Sequence, residues 1–477
     1  MKFICNFKRL LALGAVFSLL FVPVFAETEP TMPGADSEVD ASVYGCFSVD
    51  ATDTFLGDDR LVKNAQSVLL YEMNTKTLMY AYEPDRLMEP TSFAKILTAI
   101  VAIENAPLDS AVTVTETSLA GLPSGAINAK LLPNEVLTLK DLINCMLVGS
   151  ANDAAAVIAH YIGEDEAHFA QMMNDLAKQI GCDSSNFTNP HGFHDDAQLT
   201  TARDTAKILE YAMQNDEFRG IFTAYDCTVP ATNKSGERYL MTGNYMMPNS
   251  DNVQIYLDER VIGGRTGVAD NGGRCLATVA RVEHMDLLCI VMGASSVYEE
   301  GGNKIRSYGG YNETKTLLDA GFVGNTAAQV LYDGQALIQL EVANGDTVLT
   351  AGPRANLSTV LPEKLTLEDL TFRYGSEGHR LQAPIQAGDR VCSLEIWYDE
   401  LCLAVTELYA MNDVRDAAVV QPDVKAQSAW LPWVIALGCV LAVVVGIAVW
   451  IRFPSGRRFV YKTVRLFRKR KKAARRQ

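Results

Sequence analysis

Residues Pro90-Thr91-Ser92-Phe93-Ala94-Lys95 run without a break into Ile96-Leu97-Thr98-Ala99-Ile100-Val101-Ala102-Ile103-Glu104, and this stretch decides how the chain folds. Pro90 suits the approach to a helix and not its interior. The run after Ser92 is apolar nearly all round, which predicts a helix enclosed by a domain interior rather than lying on its surface. Ser92 then stands at the helix start. Lys95, three residues on, shares its face, so hydroxyl and amine can meet where helix N–H groups favour negative charge. A serine so placed can be a nucleophile with the lysine as its base. The bland alternative is a chance S-x-x-K with a solvated lysine. Against it, Lys95 is the one charge in the run before Glu104, and a charge entering an apolar helix needs a reason.

On the N-terminal side, Ser67-Val68-Leu69-Leu70-Tyr71 and Thr77-Leu78-Met79-Tyr80-Ala81 flank Asn74-Thr75-Lys76 and predict a hairpin. On the C-terminal side, helices are expected at Leu137 to Met146, Ala154 to Tyr161, Ala167 to Ile180 and Thr201 to about Gln214. The turn Ser150-Ala151-Asn152-Asp153 lies between the first two; Asn152 there reads equally as a plain helix cap. Strands return at Val261 to Gly267, Leu276 to Val282 and Leu287 to Met292, with Glu283-His284 a turn. With the first hairpin these make an antiparallel sheet of about five strands. The expected fold is therefore α+β, a buried helix against that sheet, over residues 62–322, with a last helix at Thr314 to Ala320.

Residues 323–412 alternate as strands do and form a separate small β domain. Residues 1–26 carry Lys2, Lys8 and Arg9, an apolar run to Phe25 and a small residue at Ala26, a secretory signal peptide. Residues 27–61 are an acidic flexible spacer and 413–428 a stalk. Residues 429–451 form an apolar run with Trp430, Trp433 and Trp450 at its ends, long enough for a transmembrane helix. The basic tail 452–477 holds twelve Lys or Arg and no acid, which places it in the cytoplasm and the catalytic region outside a cell membrane.

The formal charge is −15, and without signal peptide and tail it is −30, which disfavours nucleic acid as a partner of the exported part. The tail is read as a lipid-facing cluster rather than a nucleic-acid site. Most of the ten cysteines lie in apolar segments and read as small buried hydrophobes, with Cys392 and Cys402 the best-placed pair for a bridge. No metal-ligand spacing occurs among them, and no cofactor is called for. His191-x-x-His194-Asp195-Asp196 is the one rival metal motif and lacks a further ligand cluster.

Three motifs in order, Ser92-x-x-Lys95, Ser150-x-Asn152 and Arg265-Thr266-Gly267, resemble the S-x-x-K, S-x-N and K-T-G set of penicillin-binding proteins and serine β-lactamases. Glu89-Pro90-Thr91-Ser92, Asn189-Pro190-His191-Gly192 and Gly273-Arg274-Cys275-Leu276 narrow the resemblance to the exported D-alanyl-D-alanine carboxypeptidases, low-molecular-weight penicillin-binding proteins. That resemblance implies removal of the terminal D-alanine from peptidoglycan stem pentapeptides through an acyl-enzyme on Ser92, with β-lactams as covalent inhibitors. It implies Lys95 as base, Ser150 as proton relay, Asn152 on the substrate amide, and Arg265, Thr266 and Gly267 on the substrate carboxylate. The N–H groups of Ser92 and Val268 would form the oxyanion hole, worth roughly 3 kcal/mol per donor.

Two positions depart from the pattern. Arg265 replaces the usual lysine, keeping the charge but unable to lose its proton, and Ala94 replaces a hydroxyl residue. A D,D-endopeptidase would use the same machinery. A β-lactamase would show a Glu-x-x-Leu-Asn segment that is not found. A wall-binding protein without catalysis, with Arg265 a sign of decay, is the reading from another class.

Overall fold

Alternation in Ser67–Glu72 sends Val68 and Leu70 to one side and Leu69 and Tyr71 to the other, and all four are buried. A strand apolar on both sides belongs inside a sheet covered on both faces. The computed structural model describes residues 47–57, 60–247, 254–269, 273–298, 305–375 and 381–418, with isolated helical positions between 437 and 445.

Strand β1 (Ser67–Glu72) turns at Asn74-Thr75-Lys76 into β2 (Thr77–Tyr82). A single 3₁₀ turn at Thr91–Phe93 leads into α1 (Ala94–Asn105). A ribbon of β3 (Ala111–Thr113) and β4 (Val136–Thr138) precedes α2 (Leu139–Leu147), α3 (Asn152–Gly163), α4 (Glu166–Gln179), α5 (Ala202–Met213) and α6 (Asp216–Phe222). Thr138, Asp165, Thr201 and Asn215 accept first-turn N–H groups of α2, α4, α5 and α6, each cap stabilising its helix by about 1 kcal/mol. A second ribbon, β5 (Asp226–Val229) with β6 (Arg238–Met241), precedes the long strands β7 (Val261–Val268), β8 (Arg274–Val282) and β9 (Met285–Ala294). The pair β10 (Ser296–Tyr298) and β11 (Ile305–Tyr308) leads into α7 (Gly309–Phe322).

The main sheet has the order β2-β1-β9-β8-β7 and is antiparallel throughout. On one face Leu69, Tyr71, Leu288, Ile290, Ala277 and Val279 meet α1 to α6. On the other Val68, Leu70, Cys289, Val291 and Leu276 meet Leu317, Leu318 and Phe322 of α7. Helix α1 is buried from Ala94 to Ala102, in the middle of the helical layer, as its unbroken apolar run requires. Strand β7 is left at a sheet edge beside the Thr91–Phe93 turn.

The β domain begins at β12 (Asn325–Leu331), followed by β13 (Ile338–Leu340), β14 (Leu349–Gly352), β15 (Leu357–Pro362), β16 (Thr371–Gly375), β17 (Arg390–Tyr398) and β18 (Leu401–Ala410). Strands β12 and β15 pair, and a five-stranded sheet runs β13-β14-β18-β17-β16. Leu331, Leu361, Leu394, Ile396 and Leu408 form its own core, while Val360 packs into the core under α7.

Several expectations are corrected. Part of the spacer is structured: Phe55 and Leu56 donate backbone N–H to Leu78 and Met79 of β2, and Phe47 and Ala51 are buried. Two phenylalanines inside an acidic segment supplied the apolar area that its charge concealed. The first residues of the expected stalk also belong to the β domain. Val414 is fully buried and exchanges backbone hydrogen bonds with Ile385, both at 2.9 Å. The pair Cys392 and Cys402 does not bridge. Cys392 stands opposite Leu408 and Cys402 opposite Trp397, which leaves them five residues out of register, about 17 Å along the strands.

Helix α7 starts at Gly309 rather than Thr314, because its two leading glycines weaken the helical pattern there. Helix α6 and the β5–β6 ribbon are additional elements. The signal peptide and the basic tail lie outside the described residues, as does nearly all of the expected membrane span. Among the described residues no helix is long and apolar enough to cross a membrane.

Candidate active site

Ser92 sits in the 3₁₀ turn, and Lys95 lies within the first turn of α1, so the spacing of three brings Lys95 Nζ to 3.3 Å from Ser92 Oγ. Lys95 is 1% exposed, and its amine also donates to the carbonyl oxygen of His191. Burial, reinforced by the nearby positive charge of Arg265, holds its pKa well below the ordinary lysine value. Among the described residues no carboxylate pairs with it. A buried amine with two oxygen acceptors and no counter-ion is favoured in its neutral form, the form that can take a proton.

The turn itself is strained and clasped. Thr91, β-branched, takes φ +51°, a conformation that persists only where surroundings impose it. Here two glycines do so. A Cβ on Gly192 would stand 1.7 Å from Thr91 O, and one on Gly267 would stand 1.9 Å from Thr91 Oγ1. Edge strand β7 and the 188–194 loop can approach Ser92 only because both residues lack a side chain. The loop is fixed in turn by Gln198, whose Oε1 accepts from Thr188 and Asn189 N–H, and by Asn189 Oδ1, which accepts from Gly192 N–H at 2.8 Å.

Ser150 takes φ +59° between α2 and α3. Arg265 reaches it across the sheet edge: Nη2 donates to Ser150 Oγ at 2.9 Å and to Met146 O at 3.0 Å, and Nη1 donates to Leu147 O. The two carbonyls end α2, the negative pole of that helix, which suits a cation. Burial lowers the Arg265 pKa to about 10. No hydrogen bond joins Ser150 to Ser92 or Lys95, so the described residues form two bonded pairs, Ser92 with Lys95 and Ser150 with Arg265, coupled through the charge of Arg265 acting on the Lys95 amine.

Asn152 is not a cap. It occupies the first turn of α3, and its side-chain Nδ2 donates to Ile127 O at 2.8 Å. Its neighbour Asp153 accepts from Ala129 and Leu131 N–H at 2.9 and 3.0 Å, so the two residues together tie the 127–131 loop to the start of α3. Thr266 is half-buried, and Val268 ends β7 with 55% exposure.

The rival metal motif does not assemble. The His191 ring faces Glu166 at 3.6 Å and lies against Phe193 at a tilt of 47°, while His194 contacts Glu89 at 3.0 Å. Among the described residues no group of three or more His, Cys, Asp or Glu is arranged around a common point.

A family profile described as D-alanyl-D-alanine carboxypeptidase matches residues 58–296, half of the chain. The chain belongs to the D-alanyl-D-alanine carboxypeptidase family. A second profile, the C-terminal domain of penicillin-binding protein 5, matches residues 325–416 of this carboxypeptidase-family chain. Among curated proteins it is similar to D-alanyl-D-alanine carboxypeptidase DacA of Haemophilus influenzae, 26% identical over 78% of this chain and 91% of that protein. It is likewise similar to DacC of Escherichia coli, 26% identical over 86% of this chain and 92% of that one. Among solved structures, penicillin binding protein 5 from Haemophilus influenzae superposes with TM-score 0.63 at 25% identity, covering 74% of this chain and 98% of that chain.

Proposed function

We propose that this chain is a serine-type D-alanyl-D-alanine carboxypeptidase that removes the terminal D-alanine of peptidoglycan stem pentapeptides through an acyl-enzyme on Ser92. The observation that carries the reading is the buried Lys95 amine, 3.3 Å from Ser92 Oγ and held towards neutrality. Neutral Lys95 takes the Ser92 proton as Oγ forms a bond to the carbonyl carbon of the penultimate D-alanine. The N–H groups of Ser92 and Val268 receive the oxyanion. The C–N bond then breaks as Ser150 Oγ, which accepts from Arg265 and so keeps its own hydrogen free, gives that hydrogen to the leaving amine and takes in its place the proton held by Lys95, which returns to its neutral form. Water, deprotonated by Lys95, hydrolyses the ester and restores Ser92.

Asn152, with Nδ2 committed to Ile127 O, offers Oδ1 to the substrate amide. Arg265 therefore serves as the cation that orients Ser150 and depresses Lys95. An arginine does both without ever losing its proton. Edge strand β7, with Thr266 and Gly267, gives the extended peptide a strand to lie against.

The decisive experiment measures D-alanine release from a pentapeptide ending in D-Ala-D-Ala by the full chain, its Ser92→Ala variant and its Arg265→Lys variant, alongside labelling with radioactive penicillin. Release and labelling that vanish together in Ser92→Ala support the assignment. An unlabelled, inactive parent chain would leave only the wall-binding alternative.

The same reading places the enzyme outside a cell membrane, anchored by residues 429–451 with the basic tail inside. The apolar run, its flanking tryptophans and the charge of residues 452–477 support this. A chain truncated after residue 428 is expected in the soluble fraction. Membrane retention of the truncated form would overturn the anchor.

A further inference from the structure

We infer that the carboxylate of the substrate's terminal D-alanine is received by Arg274, on β8, and not by Arg265. This rests on the carboxypeptidase assignment and refines it. A guanidinium grips a carboxylate with one of two forks, Nη1 with Nη2 or Nε with Nη2, and both need an Nη2 hydrogen. Arg265 Nη2 spends both of its hydrogens, on Met146 O and Ser150 Oγ, and Nη1 donates to Leu147 O. No fork remains. Freeing one would strip an acceptor at the end of α2 or release Ser150.

Direction points the same way. In the β7–β8 register Arg265 lies opposite Ala277, on the face covered by the helical layer, while Thr266 lies opposite Leu276 and Val268 opposite Arg274, on the other face. Arg274 thus shares a face with Thr266, the hydroxyl already assigned to the substrate. A cleft of about 20 Å³ opens there, lined by Thr266, Gly267, Arg274, Tyr308, Gly310 and Tyr311. It admits one small polar group rather than a whole ligand.

The Arg274 guanidinium lies 4.4 Å from the centre of the Tyr308 ring, and among the described residues no carboxylate pairs with it. Tyr308 is itself fixed, its N–H donating to Tyr256 Oη at 2.9 Å within a cluster completed by Tyr245 and Tyr311. A half-buried cation held over an aromatic face, its guanidinium making no hydrogen bond among the described residues, is a receiver prepared for a planar anion.

The test compares kcat/KM of the full chain for an N-acylated D-Ala-D-Ala peptide and for the same peptide with a C-terminal amide. Acylation of Ser92 by a thioester without a carboxylate serves as the measure of intact machinery. The parent chain should favour the free acid. Arg274→Gln should lower kcat/KM for the acid by about 10- to 100-fold, the worth of a charge-assisted bidentate contact, while leaving the amide and the thioester within about twofold. Arg274→Lys should restore part of the preference.

An Arg274→Gln enzyme that keeps the parent's acid preference would overturn the assignment. Equal loss on acid, amide and thioester would also overturn it, by showing that Arg274 only supports the fold. A parent chain inert towards all three would instead remove the carboxypeptidase reading on which the assignment stands.

Discussion

The amine of Lys95 donates to the carbonyl oxygen of His191 as well as to Ser92 Oγ, so the base is fixed from two segments far apart in sequence. A methionine at this position has nearly the same length and removes the amine along with both of its hydrogen bonds. Lys95→Met is expected to reduce Ser92 acylation by at least about 10³-fold, the scale of a lost general base. The folding free energy should stay within about 1 kcal/mol, since replacing a buried polar amine by an apolar side chain of similar length offsets the lost hydrogen bonds. Acylation by labelled penicillin beside urea unfolding measures both. Parallel collapse of activity and stability would mean that Lys95 is structural.

The positive charge of Arg265 is the second cause, after burial, of the low Lys95 pKa. Arg265→Gln removes that charge, so the Lys95 pKa rises and the neutral, proton-accepting fraction falls at any given pH. The ascending limb of the kcat/KM profile should move to higher pH in the variant. A profile that drops uniformly with its midpoint unmoved would show that Arg265 acts through Ser150 alone.

Gly192 carries φ +82° and faces Thr91 O at a distance no Cβ can occupy. Gly192→Ala should cost about 3 kcal/mol, from the left-handed backbone and the overpacked turn together. Gly267→Ala, at ordinary strand angles, should spare more stability yet abolish acylation, because its Cβ would displace Thr91 Oγ1 and the Ser92 N–H beside it. Urea unfolding and penicillin labelling of the two variants separate these outcomes.

Glu135 is fully buried, with Arg238 at 2.7 Å. Burial works against its ionisation, but hydrogen bonds from Thr232, the Leu132 N–H and Arg238 outweigh it and hold the carboxyl below its usual range. A depressed folded-state pKa means stability that is present above the unfolded value, about 4.3, and is lost as pH falls through the folded one. Glu135→Gln should therefore cost about 3 kcal/mol at neutral pH. The gap from the parent should close as the pH is lowered below 4, read by urea unfolding at each pH. A gap independent of pH would assign the loss to packing.

Much of the site was legible because its chemistry sits on local patterns. The spacing of Ser92 and Lys95, the lone charge in an apolar run and the ordered trio of motifs depend on nearby residues only. The sheet was legible too, since β1, β8 and β9 are apolar on both faces. What escaped depends on contacts between distant segments. Nothing near Arg265 tells that its forks are spent on the end of α2, and nothing near Asp153 tells that it carries the 127–131 loop. Phe47 and Phe55 were hidden by the acidic residues around them, and Val414 by its polar neighbours. The offset of Cys392 from Cys402 follows from strand register, which composition does not encode.

Strand β1 has β2 on one side and β9 on the other, with Ser67 opposite Met292. The central pairing therefore joins segments separated by more than 200 residues, a long-range contact that must await synthesis of the distant partner. The edge strand that shapes the site is tied into the sheet through β8 and β9. A growing chain with Ser92 already exposed thus has no acylating centre until about residue 294 has been made. Its reactivity comes only with the last strands of the sheet, so the timing of activity is written into the order of the strands.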